Sequence, residues 1–245
     1  MKKMLKTALA IAALAGMGAA QSAVITFDGL EESPFAPTLA VGLLGDGDEF
    51  YQSNFWLAPF SNSATSLPGD LVGAIVDGAD LSNTCHSVAC PTNNGTKFYT
   101  AVDDGLLAIG AMSGQTFTLN NFQASFVGAG GEVFPTTTLL LRIQGRLANN
   151  STLTAQFNLP GQSGGVFSFQ NYATSGAFAT TQFKNVIFYG LACNAQGSCS
   201  AFSSDKGQFA LDNINVSAIP EPSSWLMMGL GLAAFGAFAR RRNAA

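Results

Sequence analysis

A chain of 245 residues with 11 basic and 15 acidic residues carries a net charge of −4, and only 11% of it is charged. Six of the basic residues are Lys2, Lys3, Lys6, Arg240, Arg241 and Arg242, so residues 21–218 keep five against 14 acidic ones, a net charge of −9. That balance leaves no basic stripe for nucleic acid or anionic lipid. From the N-terminus, Lys2, Lys3 and Lys6 form a basic region that overlaps the start of a largely apolar run from Leu5 to Gly16, and Gly18 and Ala20 follow as small residues. This order predicts a signal peptide over 1–20. Cleavage after Ala20 is preferred to cleavage after Ala23, because the latter places Gln21 at a position that wants a small residue.

The remaining 21–218 is one domain of ordinary size, poor in charge and rich in Phe, Thr, Ser, Asn and Gly. Ala23 to Phe27 is the first predicted strand, and Phe50 to Leu57 and Leu71 to Val76 follow. Lys97 to Val102 and Leu106 to Met112 read as a hairpin turned by Asp103-Asp104-Gly105. Gln115 to Val127 alternates but slips in phase at Asn120-Asn121, which predicts a bulge. Leu139 to Gln144 and Thr152 to Leu159 keep period two on both arms, a hairpin with one face inward and one wet. Phe183 to Tyr189 is an apolar strand, and Gln208 to Ser217 closes the domain with a slip at Asp212-Asn213. Short strands between Gly, Asn and Pro turns predict an all-β domain, a β-sandwich or jelly roll of about ten strands.

Four cysteines fall in two local pairs, Cys85 with Cys90 and Cys193 with Cys199. Each pair most simply closes its own loop, although four cysteines allow three connectivities. Zinc is a poor alternative, since neither pair has knuckle spacing and His86 is the single histidine. His86 lies between Cys85 and Cys90, far in sequence from any Gly-x-Ser-x-Gly elbow, so a histidine-based triad is not expected. Asp212 stands in an apolar strand, where an ionised carboxylate must be paired or hydrogen-bonded. Two readings follow: a structural calcium held by Asp212 with Asp28 and backbone carbonyls, or a carboxylate satisfied by backbone N–H groups at a bulge while Asp28 faces water. Exposed aromatic rings suit sugar stacking, and Trp56 and Tyr99 are the candidate ligand-binding residues, with Tyr51, Tyr172 and Tyr189 behind them. Asn94-Gly95-Thr96 reads as a polar turn.

The chain ends in Ile219-Pro220-Glu221-Pro222-Ser223-Ser224, an apolar run from Trp225 to Ala239, and Arg240-Arg241-Arg242. Uncharged residues followed by an arginine cluster predict a transmembrane helix over 224–239 with its C-terminal end in the cytoplasm. Residues 219–245 resemble the PEP-CTERM sorting tail of Gram-negative bacteria, through Pro220, Glu221, Pro222, Arg240, Arg241 and Arg242. The resemblance implies export, transient anchoring in the inner membrane, cleavage by an exosortase-type protease, and release to the cell envelope or extracellular matrix. Gln208-Phe209-Ala210-Leu211-Asp212 resembles a Gln-Phe-x-x-Asp subgroup of such proteins. Ile25-Thr26-Phe27-Asp28 at the start and Leu211-Asp212-Asn213-Ile214 at the end resemble jelly-roll carbohydrate-binding modules. The expected partners are the export machinery with signal peptidase, the exosortase-type protease, exopolysaccharide, and the membrane through the C-terminal helix. No nucleic acid is expected. The expected role is a non-enzymatic structural or adhesive module; the alternatives are a lectin-like carbohydrate-binding module and a secreted hydrolase.

Overall fold

A computed structural model describes residues 21–30, 42–63, 65–85, 88–129, 139–193, 198–201, 207–218 and the single residue 229. The predicted signal peptide at 1–20, the helix at 224–239, His86, and the tail residues Pro220, Glu221, Pro222, Arg240, Arg241 and Arg242 lie outside the described residues.

The strands in order are β1 (Gln21–Ile25), β2 (Gly42–Gly45), β3 (Phe50–Gln52), β4 (Phe55–Ser61), β5 (Leu71–Asp77), β6 (Val88–Ala89), β7 (Lys97–Ala101) and β8 (Gly105–Ala111). They continue as β9 (Phe117–Phe126), β10 (Gly128–Ala129), β11 (Leu139–Arg146), β12 (Thr152–Leu159), β13 (Gln170–Ala173), β14 (Asn185–Cys193), β15 (Cys199–Ala201) and β16 (Phe209–Ala218). Two short helices, α1 (Leu81–Thr84) and α2 (Gly176–Thr180), sit in connections. The first sheet runs β13-β9-β16-β7-β5-β2, with β1 also paired to β16. The second runs β12-β11-β14-β8-β4-β3, with β15 also paired to β14. The strand pairs of both sheets are antiparallel. The result is an all-β sandwich of two seven-stranded sheets, more finely divided than the ten strands expected.

Alternation builds the core. Leu141 and Ile143 of β11, Phe122 of β9, Phe188 of β14 and Leu211 and Ile214 of β16 have no more than 1% of their surface exposed and meet between the sheets. Each large apolar side chain removed from water contributes roughly 1.5–3 kcal/mol before entropy is charged against it. The two phase slips expected from sequence face each other. Asp212 pairs with Gln123 and Asn215 with Asn121, so one irregularity spans both strands, and Asn213 adopts φ 49° there.

Two sequence expectations change. Phe50 to Leu57 is not one strand: Ser53 and Asn54, at φ 54° and 68°, turn the chain between β3 and β4. Two successive positive φ values suit a tight hairpin turn. Nor do β7 and β8 form a hairpin. They belong to different sheets, and Asp103-Asp104 carries the chain across the sandwich. Both strands are buried over nearly their whole length, so neither shows the alternation that would name its neighbour.

Both expected disulfides are present, Cys85–Cys90 and Cys193–Cys199. The first lies deeper than a surface-loop staple. Cys85 and Cys90 pack with Phe98, Val127 and Phe169 in a second apolar cluster on the outside of the first sheet. The other bridge joins residues opposed in the β14–β15 pair.

Candidate functional site

Strand register defines the outer face of the second sheet. Tyr51, Trp56, Gly110, Asn185 and Arg146 form one row across β3, β4, β8, β14 and β11. Phe60, Leu106, Tyr189, Arg142 and Gln156 form another across β4, β8, β14, β11 and β12. Period two places these side chains opposite core residues such as Leu57, Phe188 and Ile143. Trp56 is partly exposed and packs in the apolar cluster of this face with Leu106, Ala108 and Tyr189. Its indole leans onto Gly110, where a Cβ would come within 2.4 Å of two ring carbons. Only glycine lets the ring lie down there.

Arg142 is held from two sides. Its guanidinium carbon is 5.9 Å from the centre of the Tyr189 ring; with the Gln156 amide turned so that its oxygen faces the guanidinium, Nε donates to that oxygen at 2.8 Å and Nη2 donates to the same atom. A guanidinium over an aromatic ring is a favourable cation–π pair. Sequence reasoning named Trp56 but missed Gly110, Arg142 and Arg146. The alternation of β11 carried the arginines to the wet face, but which strand would bring Trp56 beside them was not readable.

Tyr99 is corrected. It has no exposed surface and lies between Phe27 and Phe209, with ring centroids 6.1 and 6.5 Å away. Burial pushes its phenol far above the ordinary range. It is a core residue and no surface platform. Tyr172 is likewise packed on Phe122 and Phe157, and its hydroxyl donates to the Asn158 carbonyl at 3.0 Å.

A second constellation joins the first and last strands. β1 pairs with β16 in the register Gln21↔Ala218 to Ile25↔Ile214. Asp212 is wholly buried. Its Oδ1 accepts from the Asn213 backbone N–H at 2.7 Å, and its Oδ2 accepts from Asn94 Nδ2 at 2.7 Å and Asn213 Nδ2 at 2.9 Å. The Thr96 hydroxyl lies 3.5 Å from Oδ2. Burial pushes the carboxyl up to about 6 against these donors, and the charge of Asp28 adds to the rise. Asp28 is exposed and accepts from the Lys97 backbone N–H at 2.9 Å. The polar turn at Asn94 to Thr96 thus supplies donors that sequence reasoning had not assigned.

These residues do not fit a calcium ion. A hard cation needs converging oxygens, whereas amide N–H groups point at Asp212, and the Asn94 side-chain oxygen accepts from Thr96 instead. Among the described residues no group of three or more His, Cys, Asp or Glu could hold a metal. Asp212 is satisfied by N–H donors, but only the Asn213 donor is backbone as expected; the other two are side-chain amides of Asn94 and Asn213.

A cavity of about 740 Å³ opens near the free end of β1 and is lined in part by Ser22, Phe55, Met112, Gln115 and Ala218. Ala218 is also the last residue of β16, where the tail departs.

Residues 218–242 match the PEP-CTERM protein-sorting motif. The motif marks export and membrane-anchored sorting to the cell envelope. It begins in sequence at the residue on which β16 ends. No curated relative matches the chain. Among solved structures, the chain is similar to a DUF4465 family protein from Bacteroides ovatus, at 7% identity and TM-score 0.43 over 82% of this chain and 100% of that one. It is also similar to the family 11 carbohydrate-binding module of the cellulosomal cellulase Lic26A-Cel5E of Clostridium thermocellum, at 11% identity and TM-score 0.25 over 83% and 98%. A family 16 carbohydrate-binding module is similar at 14% identity and TM-score 0.27 over 59% and 84%. At such values no residue role transfers. Among the described residues no helix is long and apolar enough to cross a membrane.

Proposed function

We propose that this protein is an exported, non-enzymatic structural or adhesive module of the cell envelope or extracellular matrix of a Gram-negative bacterium. The observation that carries this is the sorting motif at 218–242 placed directly behind a disulfide-bonded sandwich. The signal peptide brings the chain to the export machinery and signal peptidase. The helix over 224–239 then holds it, and an exosortase-type protease cuts near Pro220-Glu221-Pro222. The resemblance of Gln208, Phe209 and Asp212 to the Gln-Phe-x-x-Asp subgroup supports this reading. The hydrolase alternative gains nothing from the acidic pair that the fold brings together, because Asp212 is sealed and cannot meet a substrate. Mass spectrometry of protein recovered from the surface tests the sorting: the mature chain lacks 1–20 and Arg240 to Arg242. Surface protein that retains the three arginines overturns the processing.

A second reading, lectin-like binding of exopolysaccharide, is favoured by one observation. Trp56 lies down on Gly110 on a sheet face that also presents Tyr51 and Phe60. An aromatic plate with adjacent polar side chains suits the apolar faces and hydroxyls of a sugar. A glycan array tests it: saturable binding lost in Trp56→Ala supports the lectin, and an array without binding removes it.

A further inference from the structure

Charge in this molecule is segregated by sheet. The seven strands of the second sheet contain no Asp or Glu, although residues 21–218 carry 14 acidic residues. The same sheet holds both arginines of 21–218, Arg142 and Arg146, on one strand. Spaced four residues apart on β11, they share its outer face, the face that carries Trp56. The described carboxylates lie instead in loops or on the first sheet. Among the described residues, an acidic body therefore presents one broad face whose strands carry no negative charge, and that face is both aromatic and cationic.

We propose that the outer face of the second sheet binds an acidic saccharide, stacking one sugar on Trp56 and pairing the carboxylate of a neighbouring sugar with Arg146. This rests on the lectin-like reading and adds the ligand class. The row geometry sets the spacing. Gly110, under the indole, and Arg146 are separated by β14, two strand spacings or about 10 Å. That is the span of two linked pyranose rings lying across the strands. Asn185 sits between them in the same row and offers an amide to the sugar hydroxyls. Arg146 is exposed at the end of β11, and its planar fork suits a carboxylate. Arg142 is engaged by Tyr189 and Gln156, so it stiffens the face in place of reaching outward. A dense polyanion such as nucleic acid would meet the −9 body around this face. A polymer with one carboxylate every second sugar would not pay that repulsion at every unit.

The experiment uses the exported protein with oligomers of hyaluronan and of unsulfated chondroitin, in which every second sugar carries a carboxylate, each beside its carboxyl-reduced form, in titrations at low salt. At least one acidic oligomer is expected to bind at least tenfold more tightly than its reduced counterpart. Arg146→Gln removes that preference, and its unfolding midpoint stays that of the parent. Trp56→Ala and Gly110→Val, which pushes the indole off the sheet, weaken both forms at least tenfold. Equal binding of acidic and reduced forms overturns the acidic assignment and leaves the lectin-like reading standing. Preference that survives Arg146→Gln, or binding that survives Trp56→Ala, also overturns it. Binding of none of the oligomers, with a glycan array equally blank, removes both.

Discussion

Asp212 shows how a single residue records its surroundings. Its carboxyl is pushed up to about 6 by burial, while three amide N–H bonds pull the other way. The folded state thus holds a proton more tightly than the unfolded chain, whose carboxyl titrates near 3.8. The stability this proton provides is complete below about pH 4 and is lost as pH rises through 6, by up to roughly 3 kcal/mol. Asp212→Ala should destabilise by roughly 1–3 kcal/mol at pH 7, because buried donors lose their acceptor. Its cost should grow toward pH 4, where the parent gains from the retained proton. Urea unfolding of both proteins from pH 4 to pH 8 checks this; a pH-independent difference contradicts the raised carboxyl. Since donors occupy the carboxylate, calcium added after chelation should leave the melting curve unmoved. A rise in melting temperature with calcium concentration would show an ion bound to the folded state.

At the scale of elements, the two bridges differ although their loops are alike in length. Closing loops of five or six residues stabilises by about 2 kcal/mol each in the chain-entropy account. Cys85–Cys90 does more, because both cysteines are packed beside Phe98 and Phe169, whose rings meet edge to face at 5.1 Å. Replacing this pair by serine leaves two hydroxyls against aromatic rings. The expected cost of Cys85→Ser with Cys90→Ser is about 3–5 kcal/mol. Cys193→Ser with Cys199→Ser should cost about 2 kcal/mol. Denaturant midpoints of the two double variants decide it, and equal losses would deny the buried cluster its role. The β9–β16 pairing teaches a related lesson. Each strand announced its own slip, at Asn120-Asn121 and at Asp212-Asn213, because a break in period two is a local fact. That the two slips oppose each other belongs to the pairing alone.

For the whole molecule, the two ends of the sandwich meet. Gln21 pairs with Ala218, so the predicted cleavage after Ala20 and the sorting motif lie side by side. The proposed processing at both ends would remove the six basic residues outside 21–218 and, with Glu221, take the net charge from −4 to −9. The isoelectric point of the mature protein should then fall below the 4.8 of the full chain. Isoelectric focusing of surface-recovered protein checks this, and a value at or above 4.8 would mean that the basic ends remain. The charge left behind is uneven: the first sheet and the loops keep the described carboxylates, while the second sheet keeps the arginines. If the proposed acidic saccharide binds there, its affinity should fall as salt rises.

The sequence alone determined the all-β class, the β11–β12 hairpin and the sorting motif, and it favoured the two local disulfide pairs among three connectivities. All of these rest on neighbours in the chain: alternation, turn residues, short loops and a motif within 25 residues. Tertiary structure decided the rest. Leu107 and Ile109 of β8 and Phe98 and Tyr99 of β7 look alike as buried apolar runs, so only packing could assign them to opposite sheets. It likewise sent Tyr99 to the core and Trp56 to the outer face, brought Asn94 118 residues along the chain to Asp212, and set Arg146 in the row of Trp56. Period two tells which side chains share a face of one strand, but the identity of the strand alongside is set by contacts distant in sequence.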